Sequence, residues 1–256
     1  MSWWIPPLLA VQFLTRIPVP GLNAITPEIA KAGLIKSVVW FPVVGGLVGA
    51  ITAATMIAAD TIWPRIVAVI IALIVEARLT GAFHEDAVAD FCDGFGGGMT
   101  PERIYEIMKD SPIGSYGALG MGLAVTLRAA LLIALPDAFI LPALIASASF
   151  GRYLAVSLMA TVKPLTQSSG LAKDVGAQTG FGQWITASLF TVVFMIPLGA
   201  TIPLALSVAL TSALICTFWF RRFLLRHLGG VTGDCLGLGV YVGQILILLA
   251  ATATVP

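Results

Sequence analysis

Predominantly apolar runs alternate with short polar connectors along this chain. Residues 34–59, 65–83, 114–135, 138–162, 183–200, 203–220 and 236–254 are each of a length that crosses a hydrocarbon core of about 30 Å at about 1.5 Å per residue. The pattern predicts an all-α, polytopic integral membrane helical bundle of about seven transmembrane helices, forming one domain over 1–256. Tight turns are expected at Asp60 to Pro64, at Pro136-Asp137 and around Gly199 and Pro203, so the spans pair as hairpins. Gly45, Gly46, Gly49 and Ala50 put small residues on one side of the first span, where another helix can approach closely. Ahead of the spans, MSWWIPPLLAVQFLTRIPVPG lacks a basic leader and is broken by Pro6 and Pro7. It predicts a short interfacial or re-entrant helix anchored by Trp3 and Trp4 rather than a removable signal. Residues 22–33 read as the first polar connector, and 84–113, 163–182 and 221–235 as the later ones on the same side.

Taken with the N-terminal stretch as 1–33, those connectors hold Arg16, Lys31, Arg103, Lys109, Lys163, Lys173, Arg221, Arg222 and Arg226, whereas the opposite turns hold only Arg65. By the positive-inside rule the first set is cytoplasmic. Composition agrees with a membrane protein: 58% of residues are hydrophobic, 11% are charged and mean hydropathy is +0.98. The net charge of +1 gives no field that would attract nucleic acid. Cys92, Cys216 and Cys235 have neither zinc-site spacing nor an even count for a disulfide framework.

Against that apolar background, acid is concentrated in one place. Seven of the thirteen carboxylates, Glu85, Asp86, Asp90, Asp93, Glu102, Glu106 and Asp110, fall between His84 and Gly117. Asp86, Asp90 and Asp93 lie at i, i+4 and i+7, on a narrow arc of one helical face, in a helix expected to continue directly out of the second span. Such a stack repels itself unless a divalent cation with a preference for hard oxygen, Mg²⁺ or alternatively Mn²⁺, lies between the carboxylates. The other reading is a solvated acidic helix end.

Gly94, Gly96, Gly97 and Gly98 then read as a flexible loop whose amides approach an anion, and Thr100-Pro101 as a helix start. Arg103 and Lys109 on that helix are placed to neutralise a phosphate, or simply pair with Glu102 and Glu106. Asp110 is either a further carboxylate of the site or a turn cap. His84 has the chemistry of a general base, or of an interfacial hydrogen-bonding residue, and His227 lies in a basic cluster. Arg128 and Arg152 fall inside predicted spans, where a guanidinium requires a partner or a polar cavity. Arg152 is the better phosphate candidate, and Arg128 is expected to pair with Glu76 or a carbonyl. Gly229 to Asp234 forms a glycine-rich turn that either closes over a nucleotide or re-enters the membrane.

With these residues in view, FLTRIPVP (13–20), FHEDAVADFCDG (83–94), IMKDSPIGSYG (107–117) and LGGVTGDCLG (228–237) resemble the cobalamin synthase family, the adenosylcobinamide-GDP ribazoletransferases. The matches are spread over nearly the whole chain in the family's order. The resemblance implies a Mg²⁺-dependent enzyme of the bacterial inner membrane, with its active site facing the cytoplasm. It joins adenosylcobinamide-GDP to α-ribazole or its 5′-phosphate and releases GMP. By the same likeness Asp86, Asp90 and Asp93 match the family's acidic motif, Lys109 and Asp110 its basic-acidic pair, and Asp234 its late Thr-Gly-Asp. Ala87-Val88 departs from the Gly-Leu more usual there, without removing a charge.

Asp90-x-x-Asp93-Gly94 is also similar to the first half of the CDP-alcohol phosphotransferase motif, whose second half is missing at its usual distance. A prenyltransferase would show a second acid cluster, whereas Asp174 and Asp234 stand alone. A cation-coupled transporter, the alternative from another class, would place its acids near the bilayer midplane. The sequence leaves homo-oligomerisation open.

Overall fold

The computed structural model describes residues 2–110, 112–165 and 175–253. Its regular elements are helices, and the described residues contain one isolated bridge, between Pro164 and Val231. In chain order they are α1 (Ile5–Leu14), α2 (Pro27–Ser37), α3 (Phe41–Asp60), α4 (Arg65–Thr80), α5 (Phe83–Gly97), α6 (Pro101–Met108), α7 (Ser115–Ala134), α8 (Asp137–Thr161), α9 (Phe181–Thr201), α10 (Pro203–His227) and α11 (Gly233–Ala253). Among the described residues six stretches are long and apolar enough to cross a membrane, and a seventh crossing is made if α4 and α5 count as one broken span. The predicted multi-pass bundle is therefore what the chain forms.

Helix α8 is the central post, packed against α3, α11 and α9. Small residues set those distances. Gly45 and Gly49 of α3 lie against the carbonyls of Ala148 and Leu144, where any Cβ would collide with α8 backbone. On its other side Gly151 of α8 meets Val240 and Gly243 of α11. Replacing Gly49 with leucine is expected to separate α3 from α8 and lower the melting temperature, checked by thermal unfolding in detergent.

The predicted partnership of Arg128 is present inside the bundle. Arg128 Nη2 donates to Glu76 Oε1 and Oε2 at 2.8 and 2.7 Å, and Thr52 Oγ1 donates to Glu76 Oε2 at 2.8 Å. These three side chains tie α7, α4 and α3 together, and the guanidinium lies over the Tyr241 ring of α11 at 5.7 Å.

Four sequence expectations change. Residues 22–33 are not a plain connector: Thr26 accepts from the Ile29 amide and starts α2. The second span ends at Thr80, not Phe83, because Gly81 (φ 74°) and Ala82 (φ 55°) are left-handed and turn α5 by 87° from α4. The acidic helix is thus not a straight continuation of that span but turns sharply across its end. Residues 94–97 belong to α5, with Gly94 packed on Met108 and Gly96 on Tyr116, so the glycines serve close packing rather than an open loop. Finally, α10 continues through Arg221, Arg222 and Arg226 to His227, and α11 begins at Gly233. The expected 163–182 loop lies partly outside the described residues.

Candidate active site

The turn at Gly81-Ala82 determines which face of α5 points where. Asp86 is exposed, while Asp90 and Asp93 are half-buried along the same face. The opposite face, Ala87, Val88 and Ala89, is buried, with Ala87 against Gly237 of α11. This is why the arc of acids in the sequence becomes an outward-facing arc in the fold.

Asp93 is engaged by the start of α7. Its Oδ2 accepts from the Gly114 amide at 2.7 Å and its Oδ1 from the Gly117 amide at 2.8 Å. A carboxylate from α5 thereby caps the positive end of α7. Gly114 and Gly117 must lack a Cβ, since one at either position would run into this carboxylate. Asp93→Ala is expected to lower stability by about 1–2 kcal/mol, whereas Asp86→Ala at an exposed position leaves the melting temperature unchanged; thermal unfolding of both checks this.

Asp234 enters from the far end of the chain. Thr232 Oγ1 accepts from the Cys235 amide at 3.3 Å and opens α11, placing Asp234 in its first turn. Gly229 (φ 77°) closes α10, and Val231 is hydrogen-bonded on both sides to the 163–165 segment, so the 228–232 stretch is a pinned re-entry turn. Asp234 Oδ2 then meets Lys109 Nζ at 3.1 Å, a pair 125 residues apart in sequence.

Asp90 sits among these groups. Burial pushes its carboxyl up to about 6, and the charges of Asp86, Asp234 and Asp93 act in the same direction against Lys109. Asp90 thus feels three other carboxylates and one lysine. Hard oxygen donors with surplus negative charge suit a divalent cation. Among the described residues no three His, Cys, Asp or Glu side chains are drawn together as a ligand cluster. Asp93 keeps capacity for a cation, because each carboxylate oxygen has a second lone pair beyond the amide that it accepts.

The other candidates fall elsewhere. Arg103 pairs with Glu106 at 3.1 Å, both about two-thirds exposed at 62% and 63%. Asp110 is exposed beside Lys109, just past the end of α6. Arg152 and His84 are not brought to the acid face. They line a small, partly open cavity of about 40 Å³ with Phe13, Phe41 and Phe83. Burial, with Arg152 and Arg128 nearby, holds the His84 imidazole well below its usual pKa. No spacing in the sequence signals the Lys109–Asp234 pair or the two amides on Asp93; both are made by the packing of α5, α7 and α11.

The chain was compared with known proteins. The Cobalamin-5-phosphate synthase family model matches residues 6–252. An adenosylcobinamide-GDP ribazoletransferase of Ralstonia pickettii strain 12J is 37% identical over 242 residues, which cover 93% of this chain and 91% of the relative. One from Vibrio cholerae serotype O1 strain O395 is 35% identical over 249 residues, covering 96% and 92%. One from Leptothrix cholodnii is 38% identical, covering 90% and 88%. No solved structure matches. With the family matched along almost its entire length, this chain belongs to the cobalamin-5-phosphate synthase family and is a multi-pass membrane transferase.

Proposed function

We propose that the chain joins adenosylcobinamide-GDP to α-ribazole or α-ribazole 5′-phosphate and releases GMP, at the inner face of a bacterial cytoplasmic membrane. The observation that carries this reading is the Lys109–Asp234 pair together with Asp90, which feels the charges of both and of Asp86 and Asp93, groups drawn from three separated segments. Such a collection suits an anionic diphosphate held through a divalent metal, and positioning with charge neutralisation is the main requirement of phosphoryl transfer.

In the proposed reaction a ribose hydroxyl oxygen of the acceptor, one that is free in both α-ribazole and its 5′-phosphate, attacks the phosphorus attached to cobinamide. The bond from that phosphorus to the GMP oxygen breaks, and GMP leaves with the electron pair. Mg²⁺, or Mn²⁺, held by Asp86, Asp90 and Asp93, would supply neutralisation of the diphosphate oxygens. Lys109 is close enough to the acids to bind a phosphate oxygen once it exchanges partners with Asp234, and Arg103 on the exposed face of α6 is the second cation. Asp110, exposed beside Lys109, is the proposed acceptor of the hydroxyl proton, in preference to His84, which is buried in the bundle. Arg152 stays inside the bundle and acts on the fold rather than on the diphosphate.

Removal of metal by EDTA is expected to abolish product formation, and Mg²⁺ to restore it. Undiminished product in EDTA, with both substrates present, would exclude the metal role. Lys109→Ala is expected to raise KM for adenosylcobinamide-GDP about tenfold, as loss of one phosphate contact implies; steady-state kinetics checks it.

A further inference from the structure

Behind the acidic helix, whose Phe91 and Phe95 pack on Phe220 and Phe223, lies a second feature that the transfer reaction does not use. A groove of about 340 Å³ runs between α8, α10 and α11, lined by Leu154 and Leu158, by Cys216, Trp219 and Phe223, and by Val242. Its wall is almost wholly apolar. It opens outward on a helix that exposes Leu214, Ile215, Phe218 and Trp219 to the bilayer.

The end of the groove is cationic. Arg221, Arg222, Arg226 and His227 are exposed on the last turns of α10. Arg221 is occupied, its Nε donating to the Thr161 carbonyl at 3.3 Å and tying α10 to the end of α8. His227 stacks on Phe223, a wall of the groove, with ring centroids 4.4 Å apart. Arg226 follows Trp219 by two turns along the same stripe, and Arg222 lies one turn before Arg226. Apolar wall, interfacial tryptophan and paired arginines follow one another in the order that tail, glycerol region and phosphate do in a phospholipid.

We infer that this groove is a binding site for an anionic phospholipid, its acyl chain against Leu154, Leu158 and Val242 and its phosphate on Arg222 and Arg226. The lipid fills the space between α8 and the outer hairpin of α9 and α10. An unfilled apolar groove would otherwise leave its wall without packing partners. A zwitterionic lipid offers the same tail but cancels the phosphate charge that the arginines recognise. The lipid site is separate from the reaction and does not depend on which substrates the acid face accepts.

The test uses the full-length protein in phosphatidylcholine vesicles containing a small fraction of chain-brominated phosphatidylglycerol or chain-brominated phosphatidylcholine. Quenching at Trp219 is isolated by subtracting the Trp219→Phe protein. Brominated phosphatidylglycerol is expected to quench at a far lower mole fraction than brominated phosphatidylcholine. Arg222→Gln with Arg226→Gln is expected to weaken this preference roughly 30-fold. Val242→Phe, which fills the groove, is expected to reduce quenching by both lipids. Equal quenching by the two lipids in the unaltered protein would overturn the inference. So would efficient Cys216–Cys216 crosslinking between copies in the same vesicles, since a second protein molecule would then cover the groove.

Discussion

Asp90→Asn is expected to reduce kcat by about 10³-fold or more while the protein inserts and melts as the unaltered chain does. The carboxylate is central to the acid face, with Asp86, Asp93, Asp234 and Lys109 all acting on it. Substituting the amide removes one charge and one hard oxygen but keeps the shape. The loss therefore falls on charge neutralisation at the diphosphate, a contribution of several kcal/mol in metal-assisted phosphoryl transfer. The same substitution relieves acid–acid repulsion in the substrate-free protein, so stability is expected to stay level or rise slightly. Steady-state kinetics beside thermal unfolding separates the two effects. A variant that is both inactive and unfolded would point to a structural carboxylate instead.

The second large effect is expected from Arg128→Ala. Arg128 is 1% exposed and Glu76 3%, and the pair is made inside the bundle. Removing the guanidinium leaves the buried Glu76 carboxylate with Thr52 as its hydrogen-bond donor and Arg152 as the remaining nearby cation. Breaking a buried pair from one side costs about 3–5 kcal/mol, and the variant is expected to fail to accumulate or to melt well below the unaltered protein. Arg128→Ala combined with Glu76→Ala is expected to recover part of that loss, because the carboxylate that lost its hydrogen-bonded partner is gone as well. Thermal unfolding of single and double variants in one detergent measures both. If the double variant melts no higher than Arg128→Ala alone, the unpaired charge is not the cause.

Much of the fold was legible because hydropathy directly reports what a bilayer requires. The hairpin turns at Asp60 to Pro64 and at Pro136-Asp137, and the close approach at Gly45 and Gly49, were readable for the same reason. What escaped is instructive. Thr26-Pro27-Glu28 opens α2 with the same signature as Thr100-Pro101-Glu102 opens α6, yet a polar composition made 22–33 look like a connector. Arg221, Arg222 and Arg226 ended the apolar run without ending the helix, because arginine is a good helix former once water replaces lipid. The glycines at 94–97 stay helical because Met108 and Tyr116 pack where side chains would be, which offsets a helix cost of about 1 kcal/mol each.

The site was legible in part for a related reason. The i, i+4, i+7 acids needed only a helix to share a face, and α5 provides it. Their direction was not readable, since it depends on Ala82 at φ 55°, a conformation that an alanine side chain does not announce. Nor does the local sequence show that Asp93 caps another helix, or that Lys109 crosses to Asp234; these arise from the packing of α5 against α7 and α11. Arg152 illustrates the reverse error. A lone arginine in an apolar span correctly marked an unusual environment, and the fold buries that arginine beside His84 rather than exposing it on the acid face.

The central claim is that the acid face, with Lys109 and Asp234, transfers a phosphoryl-linked group between two substrates. The measurement that meets it most directly is GMP release by the purified protein given adenosylcobinamide-GDP and Mg²⁺, with and without α-ribazole or its 5′-phosphate. The account predicts acceptor-dependent GMP release, matched one to one by the joined product and lost in Asp90→Asn. No GMP release with either acceptor, alongside substrate accumulation inside sealed vesicles, would contradict it.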